Sequence, residues 1–139
     1  MILGIGVDTV NIEEIRRYLK DERLGSAYRK HTFTPAEIEA SESRPDPAEY
    51  LASRFAAKEA VFKALAPLTQ EKAFDLRIVE TLNRDDGSPY VKVNKDLRPI
   101  MQAAGAERLF ISITTEDNYA TAFVIAEGHF KNERTEAEN

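Results

Sequence analysis

Apolar and polar positions alternate with two different periods along this chain, and each change of period marks an element. At the start, Leu3, Ile5 and Val7 point one way and Ile2, Gly4, Gly6 and Asp8 the other, which predicts a strand over residues 2–8. From 11 to 24 the period lengthens: Ile12, Ile15, Tyr18 and Leu19 share a helical face that Gly25 is placed to end. Thr34-Pro35-Ala36-Glu37 is a helix start, with a cap residue, proline at the first helical position and glutamate at the third. Asp46-Pro47-Ala48-Glu49 repeats that signal and opens a long helix that Pro67 ends. Residues 74–82 read as a strand, 83–88 as a polar turn, and Tyr90 to Val93 as the return strand. A short helix over 95–104 precedes Gly105. Leu109, Ile111 and Ile113 then alternate in a strand, which Glu116-Asp117-Asn118 turns into Tyr119 to Ala126. The expected architecture is α+β: one domain over 1–128, an antiparallel sheet packed against a long central helix, and a polar tail from 129 to 139.

The long helix carries the chemistry. In Arg54-Phe55-Ala56-Ala57-Lys58-Glu59-Ala60-Val61-Phe62-Lys63-Ala64, the helical period groups Ala52, Phe55, Ala56, Phe62 and Leu65 on one apolar face. Glu59 and Lys63 fall on that face or at its edge, one turn apart. Burying a charge without a partner is unfavourable, so these two need each other, a metal or a ligand. Arg54 and Lys58 form a second pair beside them. A carboxylate flanked by these cations suits a metal ion together with a phosphate-bearing ligand, although Glu followed by Lys at i+4 is also an ordinary helix-stabilising pair. Asp8, at the end of the glycine-bearing face of the first strand, is a second carboxylate. It reads either as a ligand or as the cap of the helix that follows, a role for which Asn11 with Glu14 competes.

At these residues the chain resembles a known family. Ile5-Gly6-Val7-Asp8, followed by Arg54-Phe55-Ala56-Ala57-Lys58-Glu59-Ala60 and Lys63-Ala64, is similar to holo-[acyl-carrier-protein] synthase, the small class of 4′-phosphopantetheinyl transferases. Thr32-Phe33-Thr34-Pro35-Ala36-Glu37, Asp86-Gly87-Ser88-Pro89-Tyr90 and Ile111-Ser112-Ile113-Thr114 extend the likeness from residue 1 to about 126. The resemblance implies the phosphopantetheinyl transferase fold. It also implies transfer of 4′-phosphopantetheine from coenzyme A to a serine of apo acyl carrier protein, leaving 3′,5′-ADP. Asp8 and Glu59 are then expected to hold magnesium, with manganese as an alternative ion. Glu59, or a metal-bound water that it orients, accepts the serine proton, and Lys63 holds the bridging or leaving phosphate. Arg54 and Lys58 are expected on the remaining phosphates, with Gly87, Pro89 and Thr115 also contacting coenzyme A.

The chain departs from the family pattern at two places. A Gly-Thr-Gly-like loop usually follows the lysine, but here the sequence is Ala64-Leu65-Ala66-Pro67-Leu68-Thr69. A histidine usually follows the Ser-x-Thr strand motif, and here its position is Thr115, before Glu116. Coenzyme A contacts are therefore the part of the function most open to change. A family member that binds metal or nucleotide without turnover stays an alternative, as does the same chemistry on a carrier domain of a multifunctional fatty acid synthase.

Composition narrows the rest. The chain has 139 residues, 42% hydrophobic and 31% charged, which is ordinary for one folded domain. It has no cysteine, so disulfides, thiolate catalysis and cysteine-bound zinc are excluded. A net charge of −5 argues against nucleic acid as a partner, and no stretch reads as a membrane span or signal peptide, so the cytoplasm is the expected compartment. His31 and His129 lack metal-ligand spacing and read as surface residues. The expected dock for an acidic carrier protein is the basic run Arg16, Arg17, Lys20, Arg23, Arg29 and Lys30, with Tyr18 as an apolar contact. The resemblance also implies a homotrimer whose sites are shared between subunits, with the strands over 109–115 and 119–126 lining its centre.

Overall fold

The computed structural model describes residues 1–129; the remainder of the polar tail expected over 129–139 lies outside the described residues. Strand β1 (Ile2–Asn11) leads into α1 (Ile12–Lys20), α2 (Glu22–Thr32), α3 (Pro35–Glu42) and the long α4 (Pro47–Leu65). The short hairpin β2 (Glu80–Asn83) and β3 (Pro89–Lys92) follows, then α5 (Arg98–Ala104), β4 (Ala106–Glu116) and β5 (Tyr119–Gly128). An antiparallel sheet of order β1-β5-β4 covers one side of α4, and β2-β3 form a separate two-stranded sheet. The expected α+β architecture is therefore the observed one.

Alpha-4 packs on the sheet so closely because β1 has no side chains where the two meet. A Cβ on Gly4 would lie 2.1 Å from the Ala64 carbonyl oxygen, and one on Gly6 would lie 1.9 Å from that of Ala60. Both are impossible contacts, so the two glycines set the helix–strand distance. Small residues answer them from the helix: Ala52, Ala56, Ala57, Ala60 and Ala64 are all buried.

This packing corrects the helical face inferred from the sequence. Ala52, Ala56 and Leu65 are buried, but Phe55 and Phe62 lie with Glu59 and Lys63 on the most open stripe of α4. Hydropathy favours the large aromatic rings, whereas close approach to a bare strand favours alanine. Phe62 instead packs edge-on against Phe74, with ring centroids 4.8 Å apart, and Phe55 packs against Tyr28.

Two further elements differ from expectation. The helix read over 11–24 is two helices, divided at Asp21, whose carboxylate accepts a hydrogen bond from the Leu24 amide at 2.9 Å and caps α2. Gly25 is not a helix end but a buried position inside α2, where a Cβ would crowd the backbone of Tyr18 and Leu19. The strand read over 74–82 begins only at Glu80; Asp75 caps a 3-10 turn over Leu76–Ile78 before it. The Thr34 and Asp46 starts are as expected, and Thr34 with Glu37 completes a reciprocal capping box. Asp8 is not a cap: it lies within β1, and Asn11 caps α1 by accepting from the Glu14 amide.

Candidate active site

The residues singled out by sequence form two clusters, on opposite edges of the main sheet. The first stands where β1 crosses α4. Lys63 Nζ donates to Asp8 Oδ1 at 2.9 Å and to the Val7 carbonyl oxygen at 3.1 Å. Lysine 63 thus pairs with the carboxylate of the neighbouring strand rather than with Glu59 one turn back. The Asp8 side chain is 17% exposed and that of Lys63 50%, so the cluster is reachable from solvent. Burial holds the half-buried Glu59 carboxyl above the ordinary carboxylate range; the negative charge of Asp8 adds to this and Lys63 opposes it. A partly desolvated carboxylate beside a second carboxylate is placed to take a cation.

The second cluster lines an open cleft of about 360 Å³ between the start of α4, the β2–β3 hairpin and the end of β4. Arg54, Gly87, Pro89 and Thr115 meet there, as do Arg44, Tyr50 and Asn83, which the sequence did not single out. The Arg54 guanidinium sits 4.3 Å from the Tyr50 ring centroid and that of Arg44 sits 4.8 Å from it. Arg54 is buried, donates through Nη2 to Asn83 Oδ1, and leaves its Nε without a partner. Thr115 Oγ1 donates to Glu49 Oε1 at 3.2 Å. The i, i+4 spacing of Tyr50 and Arg54 on a helix was the available signal for the aromatic shelf.

Lysine 58 belongs to neither cluster. Its side chain is wholly inaccessible, its ammonium lies 2.6 Å from Glu37 Oε1, and it donates to the carbonyls of Leu76 and Val79. Burial pulls it below the ordinary lysine range, and Glu37 counters that pull. All three donors are used, so the phosphate contact expected of Lys58 is not available. Periodicity along α4 carries no sign of this pairing, because Glu37 lies 21 residues upstream on another helix.

The histidines remain outside both clusters. His31 is exposed in the last turn of α2, and His129 Nε2 lies 3.4 Å from Glu107 at the surface. No group of three or more histidine, cysteine, aspartate or glutamate residues suited to a metal occurs among the described residues. Asp8 and Glu59 together would offer two carboxylates to a cation. That hard-oxygen donor set fits magnesium, which takes one or two carboxylates and completes its shell with phosphate oxygens and water. No helix among the described residues is long and apolar enough to cross a membrane.

Residues 4–124 match the model of the 4′-phosphopantetheinyl transferase superfamily. The holo-[acyl-carrier-protein] synthase of Thermodesulfovibrio yellowstonii is 41% identical over 125 residues, covering 90% of this chain and 98% of its own. The crystal structure of holo-[acyl-carrier-protein] synthase from Neisseria meningitidis superimposes with a TM-score of 0.78 at 31% identity, covering 91% of this chain and 99% of that one. An ACPS–CoA complex from Chronobacterium ammoniagenes gives 0.76 at 26% identity, covering 91% and 97%. With Asp8, Glu59 and Lys63 converging inside the matched span, the chain belongs to the 4′-phosphopantetheinyl transferase superfamily.

Proposed function

We propose that this protein is a holo-[acyl-carrier-protein] synthase: it transfers 4′-phosphopantetheine from coenzyme A to a serine of an apo acyl carrier protein and releases 3′,5′-ADP. The observation that carries this reading is the convergence of Asp8, Glu59 and Lys63 at one strand–helix crossing, within a chain of this family. The serine oxygen forms a bond to the phosphorus on the pantetheine side, and the bond from that phosphorus to the bridging oxygen breaks. Glu59, which stands half-buried beside Asp8, or a water that it orients, takes the serine proton. Lys63 supplies fixed positive charge for the oxygen that leaves. Asp8 and Glu59 would hold magnesium, or manganese in its place. Such an ion would supply positive charge for the phosphate oxygens.

The nucleotide end of coenzyme A is assigned to the second cleft, where Arg44 and Arg54 meet Tyr50, and Gly87, Pro89 and Thr115 line the wall. Asp8 lies on β1 and Thr115 on β4, and these are the two opposite edges of the sheet. One ligand spanning both clusters is best served by two copies of the chain, the β1 edge of one beside the β4 edge of the next. The open sheet face supports such assembly. Ile5, Val7, Phe110 and Phe123 are 56%, 49%, 46% and 41% exposed there, and register places Ile5 beside Ile125 and Val7 beside Phe123. A contiguous apolar face of this kind favours association, and closure around a three-fold axis uses it in every copy.

The carrier is assigned to the exposed Arg17, Tyr18, Lys20, Arg23 and Leu24 on α1 and α2. Arg16 is withdrawn from that face, bound to Glu13 and to Asp46 at 2.5 and 2.7 Å. The same reading keeps residues 1–128 as one catalytic domain, places the protein in the cytoplasm and assigns its product to fatty acid synthesis. The test is direct: incubation with coenzyme A, magnesium and an apo acyl carrier protein adds roughly 340 Da to the carrier, and a chelator abolishes the gain. Gain only on a carrier domain cut from a multifunctional synthase moves the substrate, not the chemistry. No gain on either removes the reading.

A further inference from the structure

Lys58 and Glu37 take no part in the chemistry above, yet both are wholly buried. An ion pair taken out of water seldom adds net stability over apolar residues of the same shape, so its value lies in the geometry it specifies. We propose that this pair is a positioning device for the nucleotide cleft: it fastens the β2–β3 hairpin to α4, so that Arg54, Asn83, Gly87 and Pro89 keep one spacing around coenzyme A. The inference rests on the assignment of that cleft to coenzyme A.

The fastening can be followed bond by bond. Lys58 Nζ donates to the carbonyl oxygens of Leu76, at 3.0 Å, and of Val79, so it grips the chain immediately before β2. Glu37 Oε2 accepts from the Thr81 amide at 3.1 Å, inside β2, while Oε1 accepts from the Thr34 amide at 3.0 Å. Thr34 Oγ1 in turn donates to Glu80 Oε1 at 2.6 Å. One turn back on α4, Arg54 donates to Asn83, the last residue of β2, and Asn83 Nδ2 donates to the Gly87 carbonyl at 2.8 Å. Beta-2 is thus held to α4 at both ends, by the Glu37–Lys58 pair at its start and by Arg54 at its finish. Release of the first end leaves the cleft wall hanging from the residue that also faces the ligand.

Small displacements of a binding wall have large effects on a ligand that must reach a second site. Glu37→Gln and Lys58→Met are compared with the unaltered protein in steady-state transfer to apo carrier protein, at a temperature where circular dichroism shows each to be folded. The expected result is a KM for coenzyme A raised about tenfold, with kcat and the KM for carrier within about threefold. Leu97→Ala, a buried core change outside the network, serves as a destabilised control with unchanged KM. Equal KM values in both folded variants, with only the melting temperature lowered, overturn the proposal. If a single variant does not fold, Glu37→Leu/Lys58→Met removes both charges together and is judged by the same KM. Arg54→Ala separates the two readings. Unchanged KM for coenzyme A in Arg54→Ala removes the cleft assignment, and this inference with it. Raised KM there, with normal KM in the pair variants, removes the positioning role alone.

Discussion

Alpha-4 carries two lysines five residues apart, each paired with a carboxylate from another element, and the two pairs have opposite characters. Lys58–Glu37 is sealed, at 0% exposure on both sides, with every ammonium donor committed. Lys63–Asp8 is open, at 50% and 17% exposure. The first has no freedom to meet a ligand and therefore can only hold structure. The second can exchange its partner for a phosphate or a cation. A lysine in a helical motif is therefore not read by its neighbours in sequence but by how many of its donors are already taken.

The strongest way to break this comparison is to disable the open cluster and look for collateral loss of folding. Glu59→Gln is expected to lower transfer about 10²- to 10⁴-fold, and Lys63→Ala by at least about 10²-fold, as read by carrier mass. Urea unfolding of Lys63→Ala should stay within about 0.5 kcal/mol of the parent. The sealed pair should answer the other way: Glu37→Ala leaves a buried ammonium uncompensated and is expected to reduce stability by about 3–5 kcal/mol in the same unfolding measurement. Stability losses of similar size at Lys63 and Glu37 would erase the distinction.

Assembly bears on the open cluster as well. Glu59→Gln and Arg54→Ala damage different clusters, so at coenzyme A concentrations well below the raised KM each is impaired in its own way. Co-refolded in equal amounts, they should recover about a quarter of wild-type turnover if each site draws on two copies, and no more than the separate variants give if each copy is self-contained. The smallest effect is thermodynamic. In metal-free protein above the raised Glu59 pKa, ionised Glu59 is disfavoured by burial and by Asp8, so its folded-state pKa exceeds the unfolded one. Glu59→Gln should then raise the melting temperature slightly, and the gain should shrink as pH falls through the raised value toward 4.5. A gain that grows on acidification contradicts the assigned shift.

Most of the helix caps and turns were legible from local physics. The Thr34 and Asp46 caps, the hairpin into Tyr119 and the stop near Gly105 follow from short-range geometry, and all are observed. The meeting of Asp8 with Lys63 rested on family likeness, since 55 residues separate them. What was not legible depended on tertiary contact, apart from one local cap. Asp21 splits one amphipathic run into two helices because its side chain is a better cap than its neighbours are helix formers. The backbone before β2 is a 3-10 turn capped by Asp75 rather than a strand, and Lys58 from α4 binds its carbonyls. The face of α4 was misjudged because alanine against glycine outweighs hydropathy where two backbones touch.

The bare face of β1 has a genetic consequence. A side chain added at Gly4 or Gly6 would collide with the carbonyl oxygens of Ala64 and Ala60, which are main-chain atoms. No trimming of a facing side chain can relieve such a clash, because the obstructing atoms are common to every amino acid. Lesions at these two positions should therefore be without simple second-site suppressors, unlike core lesions where a neighbour can shrink to make room.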